Sequence, residues 1–233
     1  MTIQNLINKA TNMQIMCAPI YGQLKSRSGI VKTSKNQVQP YTIKFSVAPC
    51  IYSQNRDLVA SVTNIDINTV EVISLSNNSG MSYITDYKGG VTANLDTITI
   101  LSYPEQSSGY TVHGDALVVN ANTCTPTGVA LFQQGDFIQP LGNANNYAYP
   151  YQIAFDNYTP TVTASGGQAI VLNRPIIEQA NSNIINYGMK VGSDVTFRVK
   201  LMKPISYTIS PHDVLTFDSE IELMEVITVW AQQ

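Results

Sequence analysis

The sequence predicts a mainly β protein with two short helices near its start. Three observations carry this. Tyr41, Ile43, Phe45 and Val47 alternate with Thr42, Lys44 and Ser46, the period-two pattern of a half-buried strand. Beyond residue 65 the chain breaks into short apolar runs separated by turn chemistry such as Asn77-Asn78-Ser79-Gly80 and Lys88-Gly89-Gly90. Helical spacing occurs only in the first part, at Ile3, Leu6, Ile7, Ala10 and Met13 and again at Leu58, Val59, Val62 and Ile65.

Each element follows from local signals. Thr2 is placed to cap a first helix of about three turns that carries Ile3 to Met13. Ile15 to Leu24 is apolar but holds Pro19 and Gly22, which predicts an edge strand or an extended arm. Lys25 to Pro40 reads as a long loop or a hairpin of weak strands. Pro49 stops the strand Tyr41 to Val47, and Ser53 is an N-cap for a second helix ending near Ile65. Strand-like runs follow at Val70 to Leu75, Met81 to Tyr87, Asp96 to Leu101, Asp115 to Val119 and Val129 to Ile138. Tyr147 to Phe155, Gly167 to Leu172, Asp194 to Leu201 and Ile221 to Thr228 complete the set. Many short strands behind two helices imply a sandwich or barrel. The polar loop Pro104 to Gly109 and the step Lys203-Pro204 mark out residues 104–203 as an inserted small β-barrel-like module. Residues 1–103 plus 204–233 then form the other domain.

Composition limits the function. Charged residues are 12% of the chain, against about a quarter in ordinary globular domains. A neutral polar surface does little to keep copies apart, so it suits a chain packed in an assembly; a β protein with polar loops is the simpler reading. The net charge is −3, and the loose group Lys25, Arg27, Lys32 and Lys35 is too small for phosphate-driven binding. No specific nucleic-acid binding is expected. No apolar run is long enough to span a bilayer, so no membrane anchor is expected. Cys17, Cys50 and Cys124 are odd in number and widely spaced, which fits reduced thiols rather than a disulfide framework or a zinc site.

Little in the sequence points to catalysis. The two histidines, His113 and His212, lie outside any metal or hydrolase motif and read as ordinary loop residues. Asp86, Asp96, Asp136 and Asp156 are the carboxylates from which a glycosidase pair would be drawn. All stand at strand ends or turns, where acidic residues serve local hydrogen bonding. Tyr147, Tyr149 and Tyr151 form either an exposed contact surface for sugar or protein, or one inward face of a strand. The expectation is no catalytic residue, no cofactor and no metal.

One ordered set of short motifs adds to this reading. Gly135-Asp136-Phe137-Ile138-Gln139-Pro140 precedes Tyr149-Pro150-Tyr151-Gln152-Ile153-Ala154-Phe155-Asp156. Gly166-Gly167-Gln168-Ala169-Ile170-Val171-Leu172-Asn173-Arg174-Pro175 and Val191-Gly192-Ser193-Asp194-Val195 follow. This order resembles a small β module of tail and baseplate structural proteins of tailed bacteriophages, with the contractile-tail type favoured. Ser26-Arg27-Ser28-Gly29, the Tyr41 to Val47 strand, the helix after Ser53 and the closing stretch from Leu201 are similar to the rest of such proteins. The loops Gly142 to Asn146 and Ile176 to Lys190 are longer than that pattern. The resemblance implies a mainly β fold: a tail-tube-like β-sandwich or barrel domain with a short helix, a smaller β-barrel-like module and an N-terminal helix. It implies a non-enzymatic virion subunit, assembled in the host bacterial cytoplasm. Its expected partners are other tail or baseplate proteins and copies of itself in a ring. A receptor- or carbohydrate-binding module of the same particle is the alternative. Ile3, Leu6, Ile7, Ala10 and Met13 are the candidate assembly contacts, docked on a neighbour or on the chain's own sheet.

Overall fold

The computed structural model describes residues 3–17, 21–25, 31–35, 39–63, 65–78, 80–103, 114–142, 149–158, 167–177 and 184–227. The protein is mainly β, with 40% strand and 12% helix, arranged as several antiparallel sheets and two α-helices. Among the described residues no closed barrel is found. The chain divides into two compact units: 1–16, 41–86 and 193–226 form the first, and 17–40, 87–192 and 227–233 the second.

The first unit is built on a five-stranded sheet in the order Ala10–Cys17, Tyr41–Val47, Ile221–Glu225, Phe197–Leu201, Glu71–Ile73. Tyr41–Val47 buries every second residue, as its alternation predicts. The next two strands in the sheet do the same: Ile221, Leu223 and Glu225 are buried on one and Phe197, Val199 and Leu201 on the other. Because side chains alternate between faces, the three strands present one continuous apolar surface. Tyr41 and Phe197 meet edge-to-face on it, with ring centres 5.6 Å apart. The helix Arg56–Thr63 buries Leu58, Val59 and Val62, the face that the spacing marks. It starts later than expected. Ser53 does not cap it, because its hydroxyl and backbone N–H both bond the carboxylate of Asp213.

The first helix departs further from expectation. It spans only Ile3–Ile7, and the chain then runs as a strand from Ala10 to Cys17. The reason is tertiary: the Asn78 side-chain amide donates to the carbonyls of Ile7 (2.7 Å) and Ala10 (3.1 Å) and so holds the end of the helix and the start of the strand. Met81 to Tyr87 is likewise not a strand; a single 3₁₀ turn, Ser82–Ile84, occupies it.

Among its described residues the second unit holds two three-stranded sheets. One runs Tyr151–Gln152, Phe137–Pro140, Met189–Val191, and the other Gln168–Val171, Ala116–Asn120, Thr99–Ser102. Ala130–Phe132 pairs with Asn157–Tyr158, and Tyr21–Lys25 with Val31–Lys35. The expected single run Val129 to Ile138 is therefore two strands. Gly135, at φ +98°, makes the turn between them, a conformation that glycine adopts without steric cost. These unit limits differ from the 104–203 span read from loop composition. Phe197–Leu201 lies inside the first unit's sheet, and Thr99–Ser102 pairs within the second unit. The loop Pro104 to Gly109 lies outside the described residues.

Gly89 shows how tightly this unit packs. A Cβ there would collide with the Tyr87 hydroxyl and come within 2.6 Å of the Leu131 carbonyl oxygen. The Tyr87 hydroxyl donates to that same carbonyl at 2.6 Å. Gly89→Ala is expected to break this contact and destabilise the chain by about 1–3 kcal/mol, read from urea unfolding.

Candidate functional site

The residues expected to make assembly contacts do not form one helical face. Ile3, Leu6 and Ile7 are buried within the first unit, where their helix lies against Tyr41–Val47 and Glu71–Ile73. Ala10 is buried and Met13 half-buried, both on the following strand. The apolar side of the short helix is thus covered by the chain's own sheet, and an N-terminal arm reaching outward through these side chains is not what the fold presents.

What the fold presents instead is an asymmetric sheet. One edge is Glu71–Ile73, only three residues long. The first helix closes its end: the Gln4 side chain accepts from Ser74 N–H at 2.7 Å and donates to the Ser74 carbonyl at 2.8 Å. The Ile3 N–H bonds Glu71 Oε2 at 2.7 Å. The other edge is Ala10–Cys17, eight residues without a charge or a proline. Among the described residues it pairs only with Tyr41–Val47. Thr11, Asn12 and Gln14 are exposed on it. Thr11 Oγ1 donates to the Ser46 carbonyl, and Asn12 Oδ1 accepts from the Ser46 N–H at 2.8 Å. Pro19 and Gly22 pointed to an edge strand or an extended arm at Ile15 to Leu24; within that span Ile15 to Cys17 belong to this edge strand, Tyr21 to Leu24 to the strand Tyr21–Lys25, and 18–20 lie outside the described residues.

The candidate catalytic residues are placed as follows. His212 is exposed, and His113 lies outside the described residues. Asp86 and Asp96 are exposed. Asp156 Oδ1 accepts from the Gln134 N–H at 2.7 Å. Asp136 is 2% exposed, and its two oxygens accept from the Lys88 N–H (3.0 Å) and the Gln133 N–H (2.9 Å). Two of these carboxylates thus fix backbone at the turn from Gln133 to Asp136. Among the described residues no group of three His, Cys, Asp or Glu is placed to hold a metal ion. Tyr149 and Tyr151 are buried in the second unit's core, which favours the inward-facing reading of that aromatic run; Tyr147 lies outside the described residues. Lys25, Lys32 and Lys35 stand on the hairpin Tyr21–Lys25 and Val31–Lys35, and Arg27 lies outside the described residues. No disulfide joins the three cysteines, and Cys124 is buried. No helix among the described residues is long and apolar enough to cross a membrane.

Burial raises the Asp136 carboxyl above the usual carboxylate range, against the lowering effect of its backbone hydrogen bonds. The Tyr87 hydroxyl is pushed up to about 12 by the same cause. For Asp136 the folded chain therefore holds its proton to higher pH than the unfolded chain does. Between the ordinary value and the raised one, stability falls as pH rises. Asp136→Asn is expected to remove that slope from the pH dependence of urea unfolding. An amide offers one acceptor oxygen where the carboxylate offers two, so the variant also loses about 1–3 kcal/mol at neutral pH.

Sequence reasoning missed the buried Arg174. The residue is 1% exposed, and its guanidinium donates to the carbonyls of Gln39 (2.6 Å) and Pro150 (2.7 Å). It also stacks over the Tyr151 ring at 5.1 Å. Nothing in the Arg174-Pro175 step foretells this, because the acceptors come from chain positions far away. No family model matches the chain, and no curated protein matches it either.

Proposed function

We propose that this chain is a structural subunit of a phage tail or baseplate, working through subunit contacts and without catalysis. The observation that carries the assembly part is the uncharged, eight-residue edge Ala10–Cys17 on a chain with few charges overall. Edge strands carry unpaired backbone donors and acceptors, and monomeric proteins usually shield them with lysine, proline or shortness. The other edge of the same sheet is three residues long; this one is eight. The particle type rests on the ordered motifs from Gly135-Asp136 to Val191-Gly192-Ser193-Asp194-Val195. In the structure these supply the turn at Gly135, the core tyrosines and the buried Arg174.

The test is a proteomic count of purified tailed particles that encode the chain, followed by a density map with the chain traced. The expected result is a fixed, stoichiometric copy number at the tail or baseplate. Absence of the chain from purified particles, or its loss on a mild salt wash, overturns the reading.

A further inference from the structure

We draw no further inference here: the strongest candidate, the surface patch of exposed Leu101, Leu141 and Tyr187 on segments that the Ile100–Tyr187 and Leu141–Gly188 backbone hydrogen bonds join in the second unit, is an apolar face for which nothing among the described residues shows what covers it.

Discussion

Arg174→Ala is expected to destabilise the chain by about 2–5 kcal/mol, the scale of leaving two buried acceptors without a donor and a void where a large side chain stood. The guanidinium is almost fully buried and serves the carbonyls of Gln39 and Pro150 at 2.6 and 2.7 Å. Removing it leaves two buried acceptors short of their donors and opens a void beside the Tyr151 ring. Arg174→Lys is expected to recover little. An ammonium is a compact point charge, whereas the planar fork of arginine reaches two separated carbonyls and stacks on a ring at the same time. Urea unfolding of both variants checks this. A loss below about 1 kcal/mol in Arg174→Ala would mean that water replaces the guanidinium at little cost.

Leu6→Ala carries the second large effect, a loss of about 2–5 kcal/mol. Leu6 has no exposed surface, and Ile3 and Ile7 are buried beside it on the same short helix. So short a helix does not persist alone in water and exists because its apolar side is buried on the sheet. Deleting residues 1–9 is therefore expected to lower the thermal midpoint of the isolated chain sharply. The deletion also strips Gln4 from Ser74 and Ile3 from Glu71, which uncovers the end of the short edge strand Glu71–Ile73. The deleted chain is then expected to aggregate more readily than Leu6→Ala at equal stability, measured by light scattering. An unchanged midpoint in the deletion would restore the reading of this segment as an arm for a neighbour.

Much of the strand content was legible because it is a local property. The alternation in Tyr41–Val47 fixes which side of that strand is buried, whatever lies against it. Leu58, Val59 and Val62 mark the buried side of the second helix in the same way. Gly135-Asp136 announces a turn, since glycine accepts a positive φ and aspartate accepts backbone N–H groups. The strands Met189–Val191, Tyr207–Ile209 and Val214–Phe217 were not legible, because each is short and exists through hydrogen bonds to a partner.

By itself, then, the sequence determined the mainly β class, the faces of its clearest strand and second helix, and the scarcity of charge. The tertiary structure decided where the first helix stops, which strands stand at the sheet edges, and what Arg174 and Asp136 hold. The reason is reach. Periodicity records what one segment asks of its surroundings, and Ile3, Leu6, Ile7, Ala10 and Met13 satisfy a helical spacing equally well when the chain turns into a strand after Ile7. The choice is made by Asn78, which takes the Ile7 and Ala10 carbonyls from about 70 residues away in the chain. A buried guanidinium or carboxylate depends likewise on distant backbone groups that only the folded chain brings within hydrogen-bonding distance.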